Sequence, residues 1–376
     1  MDTITGDAYR WAWEFDTMTV NVIGSAEMTS RERVLTACRR GAPDRVPRTV
    51  PLEWHVAERL KAEIGSDKLN AAMKNDLRGV GPRPTVLKSD FSKYFHRPDI
   101  TWDEWGRGRL WDEGRYYAEY FYPLENAETI DEIEDFPWPD LMEPYRYEGL
   151  KEAADRDHAQ GFPVLGHIDE TVFEVAWQIR SLDRLSEDLL TGSEMGTLLL
   201  DKIAERRVVE ARAFALAGAD ILAMGDDVAM QTGLMMSRKM FRDEFCSRFK
   251  KVIGAAREIK PDILIWYHTD GKANDLIPDL IDTGIEILNP VQPECIDHAW
   301  VKQTYGDRLA FSGGLGVQSV LPFGTPDEVR EHVRATIATL GAGGGLVVGP
   351  SHVVESDVPT ANIMAMLSAI DEFGTY

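Results

Sequence analysis

The chain has 376 residues, 44% of them hydrophobic and 28% charged, with a formal net charge of −22. That is enough for one large domain or two ordinary ones, and the acidic balance argues against a nucleic-acid or anionic-membrane surface, which needs clustered Lys and Arg. Three cysteines, Cys38, Cys246 and Cys295, are too few and too odd for a disulfide framework. With no basic-then-apolar leader and no run of about 18 apolar residues, they point to a soluble cytoplasmic protein.

Residues 1–28 precede the capping pattern TSRERVL and read as an N-terminal extension. Two strand-like runs follow, VPRTVPLE (46–53) and PTVLKSD (84–90). Residues 99–145 then form an insertion containing WDEWGRGRLWDEGRYYAEYFYPL, with aromatics at 102, 105, 111, 116, 117 and 120–122. Asp112-Glu113-Gly114 suits the turn of a β-hairpin, packed on the fold or serving as a lid or dimer arm. From residue 160 the pattern repeats as apolar run, polar turn, amphipathic helix. The runs are PVLGHI (163–168), DILAMGDD (220–227), DILIWYHTDG (262–271), EILNPVQ (286–292), LAFSGGL (309–315) and GLVVGPSH (345–352). Between them lie helices with clear signals. One spans 194–218 and stops at Gly218, one starts at Ser237, and one has Thr325 as cap, Pro326 inside and Gly341 as stop. Strands alternating with helices, eight in all, predict a (β/α)8 barrel of TIM type over 29–376. An open doubly wound sheet is the alternative, lowered by the lack of G-x-G-x-x-G after the first strand.

In such barrels the site lies at the C-terminal mouth, on strand ends and the loops after them. The runs end on Glu53 and His55, Lys88 and Asp90, His167 and Asp169, Asp226 and Asp227, His268 and Asp270, Asn289 and Gln292 followed by Cys295, and Ser351 and His352. Polar ends repeated in this way suggest a lined cavity. His268 and Asp270 stand two apart on a strand and so share a face. Asp226 and Asp227 are adjacent, so one should face the cavity while the other caps a loop. His55 and His167 also suit a plain hydrogen-bonding role, and Cys295 that of a small buried apolar residue. Gly313-Gly314 fits either a phosphate-binding turn or a tight turn.

With these residues in view, the chain resembles the uroporphyrinogen decarboxylase superfamily from about Thr29 to Phe373. The likeness is strongest in MGDDVAMQTGL, YHTDGKANDLIPDLIDTGIEILNPVQPEC, FSGGLGVQSVLPFGTPDEV and GGGLVVGPSHVVESDVPTANIMAM. The resemblance implies a (β/α)8 barrel. It also implies either the haem-pathway decarboxylase or the zinc-dependent methyltransferases that exchange methyl groups with corrinoid proteins, coenzyme M or tetrahydrofolate. The decarboxylase carries an R-Q-A-G-R motif that grips substrate carboxylates. Here that region reads RVPRTVPLEWHVAERL, with Arg45 and Arg48 as basic groups only. An octa-anionic tetrapyrrole needs several fixed cations, so the resemblance points to the methyltransferase-like branch.

That branch has His-x-Cys after the fifth strand and a P-G-C turn after the eighth. Here the matching residues are His268-Thr269-Asp270 and Pro350-Ser351-His352. The implied metal ligands are His268, Asp270 and His352, with Cys295 as a further donor. Zinc accepts such ligands, and the harder set also suits iron or manganese. The expected activity is metal-dependent methyl transfer or demethylation on a small O-, S- or N-methyl substrate. Asp226, Asp227 and Asp270 would be catalytic, and Glu53, His167, Asn289, Gln292, Arg48 and Lys88 would bind substrate. No corrinoid-binding D-x-H-x-x-G occurs, so a corrinoid would come on a partner protein or free, with tetrahydrofolate as another carrier. A homo-oligomer is expected. The alternatives are a cofactor-free decarboxylase or lyase, in which Arg45, Arg48 and Lys88 hold a small acid, and a non-catalytic binding subunit.

Overall fold

The structure, a computed structural model, describes residues 27–95, 97–110, 118–168 and 170–376, with the backbone alone at 66, 67 and 70. In chain order the strands are β1 (Arg78–Val80), β2 (Thr101–Trp102), β3 (Gly108–Leu110), β4 (Glu119–Phe121), β5 (Val164–His167) and β6 (Ile221–Gly225). They continue with β7 (Ala229–Met230), β8 (Gly233–Leu234), β9 (Leu264–His268), β10 (Ile287–Asn289), β11 (Ala310–Leu315) and β12 (Leu346–Pro350). Seven of them form one parallel sheet in the order β1-β5-β6-β9-β10-β11-β12, with helices between. This is a mixed α/β fold in keeping with a TIM-type architecture.

Strands β6, β11 and β12 are buried along their whole length, as expected where a parallel sheet is covered on both faces. Alternate residues such as Leu165, Ile221, Leu264, Trp266 and Ile287 form an inner core. Helix Ser30–Cys38 inserts Val34, Ala37 and Cys38 into that core from below, so the interior has a floor. The other face of the sheet, including Met224 and Tyr267, packs against the surrounding helices in a larger core. No helix among the described residues is long and apolar enough to cross a membrane.

The 46–53 run lies between the two outer strands of this sheet. Arg48 bridges Val348 and Leu52 bridges Val354, both in parallel sense. On its other side the Asp76 N–H donates to the Arg48 carbonyl at 2.9 Å. Pro47 and Pro51 remove two ladder donors, which is why the segment pairs by isolated bridges instead of a regular strand.

Two expectations need correction. The second strand is β1, not 84–90, which holds no strand and leaves Val86 61% and Leu87 56% exposed. Gly313 and Gly314 lie inside β11 and not in a turn after it. The insertion contains a three-stranded antiparallel sheet, β2-β3-β4, with Thr101 opposite Arg109 and Gly108 opposite Phe121. The expected turn at 112–114 and residues 1–26 of the expected extension lie outside the described residues.

Candidate functional site

Strand β9 sends Leu264 and Trp266 into the inner core, so His268 points the same way at the strand's end. Asn289 is its partner in register on β10. The His268 Nδ1 lies 2.6 Å from Asn289 Oδ1. An amide oxygen only accepts, so Nδ1 carries the proton and Nε2 offers its lone pair. On the other side Gly225 pairs with His268, and a Cβ at Gly225 would stand 2.3 Å from the His268 carbonyl oxygen. Glycine at this point of MGDD lets the two strand ends approach.

The next two residues diverge. The Asp226 side chain is buried and accepts from the Val172 N–H at 3.0 Å and the Glu174 N–H at 3.0 Å, at the start of helix Phe173–Arg180. Burial outweighs these donors and pushes its carboxyl up to about 7. Asp227 turns the opposite way. Its Oδ1 accepts from the Asp270 N–H at 2.7 Å, while its own N–H donates to Glu174 Oε2 at 2.9 Å. Burial first, then Asp227 and Asp226, raise the Glu174 carboxyl well above its usual range. Glu174 was not singled out by its sequence context, since it lies in a helix with no motif around it.

Asp227, His268 and Asp270 each present one ligand atom within 4.8 Å of the others. His268 Nε2 stands 3.9 Å from Asp227 Oδ1 and 3.9 Å from Asp270 Oδ1. The three side chains are 40%, 29% and 30% exposed, so solutes can reach them. Burial works against a charged His268, but Asp270, Asp227 and the Asn289 bond outweigh it and hold the imidazole above its ordinary value. Asp270 is raised by burial, opposed by His268 and assisted by Asp227. Metal–ligand bonds of about 2.0–2.2 Å separate neighbouring donors by roughly 3–3.5 Å, so a small contraction would fit this set to a divalent ion.

His352 and Cys295 lie outside this group. The field of His352 reaches Asp270, but its Nδ1 lies 3.9 Å from Glu355 Oε1. The Cys295 thiol donates to Gln231 Oε1 at 2.8 Å. Burial, then Glu294 and Asp270, raise that thiol and keep it protonated. The three-residue cluster thus contains two of the four expected ligands and adds Asp227.

The remaining candidates separate. Gln292 is buried and its Oε1 accepts from the Gly271 N–H at 3.2 Å, which fixes the turn after Asp270. Gly271 has φ 78°, and a Cβ there would lie 2.6 Å from the Ala229 carbonyl oxygen. His167 ends β5 on the inward-facing register of Leu165. Glu53 caps helix Trp54–Ile64, accepting from the His55 N–H at 2.9 Å. Arg48 is fully buried and reaches the Leu367 carbonyl and Asp371 Oδ1, both at 3.2 Å, so it braces the C-terminal helix instead of facing the mouth. Lys88 is exposed in a loop, and Asp90 caps a short turn through the Ser92 N–H. Arg45 is held by Asp76 at 2.8 Å. The three cations expected to grip an acid therefore do not converge. Asp169 lies outside the described residues.

A parallel α/β fold with an imidazole and two carboxylates gathered at strand ends is an enzyme-like arrangement. The family description for uroporphyrinogen decarboxylase (URO-D) matches residues 122–373, and the chain belongs to this family. The methylcobamide:CoM methyltransferase MtaA of Methanosarcina barkeri is 26% identical over 211 residues, covering 56% of this chain and 58% of that protein. The chain therefore matches less than two thirds of that relative's length. The methylated-thiol–coenzyme M methyltransferase of Methanosarcina mazei is 24% identical over 361 residues, 92% of this chain and 90% of that protein. The uroporphyrinogen decarboxylase of Psychromonas ingrahamii is 25% identical over 178 residues, 46% and 47% of the two chains. A solved methyltransferase from Methanosarcina mazei superposes with a TM-score of 0.63 at 20% identity, covering 92% of this chain and 99% of that one, a likeness of fold.

Proposed function

We propose that the chain carries out metal-dependent methyl transfer or demethylation on a small methylated substrate, with the methyl group carried by a corrinoid or tetrahydrofolate. The observation that supports this reading is the Asp227–His268–Asp270 cluster, reachable from solvent and compatible with one divalent ion. The names of the methylcobamide:CoM methyltransferase relatives favour a corrinoid carrier. One imidazole and two carboxylates make a hard donor set, suited to zinc, manganese or iron(II) and to an oxygen-bound methyl group more than a thioether.

When bound, the ion supplies Lewis acidity toward the substrate heteroatom. His268 presents Nε2 because Asn289 holds the proton on Nδ1. The Asp270 N–H fixes the Asp227 carboxylate, and Gln292 fixes the turn that carries Asp270. Glu174 accepts from the Asp227 N–H and so holds the backbone that carries the Asp227 carboxylate.

The test is metal content by plasma mass spectrometry after purification without chelators or a metal-affinity tag. Wild type should hold close to one equivalent, and His268→Ala and Asp227→Asn should lose it with unchanged circular dichroism. Turnover is then measured with methylcobalamin and a panel of methoxyarenes. No metal in wild type after zinc, manganese and iron(II) have been offered would sink the reading.

A further inference from the structure

The insertion delivers two arginines to the loop after β5. Arg107 Nη1 donates to Gln178 Oε1 at 3.1 Å, and Arg109 Nη2 donates to the same oxygen at 3.3 Å. Arg107 also pairs with Glu170 and, through Nε, with Asp103 at 2.5 Å. Both arginine side chains are 12% exposed, and Gln178 is 1% exposed. These two cations are thus held on a nearly dry platform, fixed from below by an amide.

This platform adjoins the cluster. Gln178 and Glu174 stand four residues apart on helix Phe173–Arg180, hence on one face and about 6 Å apart along the axis. Glu174 holds the Asp227 backbone N–H, and the charge of Arg107 reaches Glu174. The cluster end of this row is acidic, with Asp227, Asp270 and Glu174 side by side. A substrate bearing its own negative charge would be repelled there unless a cation held that charge at the far end.

Glu170 occupies that far end. Its Oε1 accepts from Gln178 Nε2 at 2.8 Å while its other oxygen meets Arg107. Its φ is 31°, a left-handed conformation that a residue with a Cβ adopts at a cost. The Arg207 guanidinium holds the Glu170 carbonyl at 2.6 Å and keeps the backbone there. The side chain is 25% exposed and ends in a flexible carboxylate, so it can swing into water while the backbone stays.

We propose that Arg107 and Arg109 recognise a carboxylate on the substrate, and that the Glu170 side chain fills this position until the substrate displaces it. The inference rests on the reading that the substrate reacts at the Asp227–His268–Asp270 cluster. It makes the substrate a small methylated acid, with its carboxylate on the insertion and its methyl-bearing atom at the cluster. Planar guanidinium groups match a carboxylate with two parallel bonds, which an uncharged amide cannot reproduce.

The experiment is calorimetric titration of the full chain after chelator treatment, so that binding is read without metal. The probes are benzoate, 4-methoxybenzoate and 4-methoxybenzamide. Wild type should bind 4-methoxybenzoate about tenfold more tightly than the amide. E170Q removes the more exposed of the two internal carboxylates, leaving Asp103 in place, and keeps its size, so both acids should bind about tenfold tighter while the amide does not change. R107Q should abolish the preference for acid over amide. R109Q is measured beside it in case Arg107 proves necessary for folding, and thermal melts report folding throughout. Failure of both acids to bind, equal affinity for acid and amide in wild type, or an E170Q variant with unchanged carboxylate affinity would overturn the inference. A chain that binds acids in this way but holds no metal would sink the proposed chemistry and leave this inference standing. A chain that holds metal without any preference for acids would do the reverse.

Discussion

Strand β6 runs from one buried aspartate to another. Before its first residue, Asp220 accepts from Arg31 at 2.8 and 3.1 Å, from the Val164 N–H at 3.0 Å, and lies 2.9 Å from His158 Nε2. Burial alone would raise its carboxyl, but Arg31, the Val164 N–H and His158 hold it below the usual range. After the last residue, Asp226 has only backbone N–H donors, and its carboxyl rises to about 7. The same residue type at the two ends of one strand thus meets opposite electrostatics. The floor of the fold offsets its charges with cations, and the mouth leaves acids crowded together. Ends given over to stability and to chemistry divide in the same way in barrel enzymes generally.

The comparison can be broken most directly at the floor. Asp220→Ala should cost about 2–4 kcal/mol, because a part-exposed guanidinium, an imidazole and a buried backbone donor lose their acceptor together. Arg31 is 40% exposed, so its share of that loss is screened by water. Urea melts check this, with metal content expected to stay as in wild type. At the mouth, Asn289→Ala should weaken metal affinity about 10- to 100-fold, since it frees the ring that presents Nε2. A competition titration against a fluorescent chelator measures it, and the denaturation midpoint should hardly move.

The two pH dependences are smaller and differ in sign. Metal binding needs neutral His268, whose proton is held more tightly than usual, so metal affinity should weaken as the pH falls below the raised imidazole value. A zinc dissociation constant unchanged between about pH 8 and 5 would contradict that. In the metal-free chain, the raised pKa of Asp226 contributes stability that is complete below about 3.9 and lost as the pH rises through about 7. Asp226→Asn should therefore flatten the stability profile between about pH 4 and 7, where the charged form is disfavoured by folding. An unchanged profile in thermal melts would show that Asp226 titrates as an ordinary acid.

Much of this fold was legible because parallel strands buried on both faces are continuous apolar runs. PVLGHI, DILAMGDD, DILIWYHTDG, EILNPVQ, LAFSGGL and GLVVGPSH all contain the strands of the sheet. β1 was not legible, since Arg78-Gly79-Val80 offers three residues with one charge and one glycine. PTVLKSD has the better strand composition and none of the burial. Within the site, period-two spacing placed His268 beside Asp270. The parity of Asp226 and Asp227 showed that they diverge but not which one faces outward. That depends on the start of helix Phe173–Arg180, more than fifty residues earlier, whose N–H groups capture Asp226. Asn289 could have been paired with His268 from the matched ends of neighbouring strands. Arg107 and Glu170 could not, because nothing local says where an insertion will dock.

Helix Ser30–Cys38 packs Val34, Ala37 and Cys38 against the inner core at the end of the sheet away from the cluster, and so blocks approach along the strands from that side. Under the proposed reaction, a small substrate and a bulky methyl carrier would then both come to the strand ends that carry Asp227, His268 and Asp270. A carrier seated over those residues would cover them, so the small molecule would have to arrive first and its product leave last.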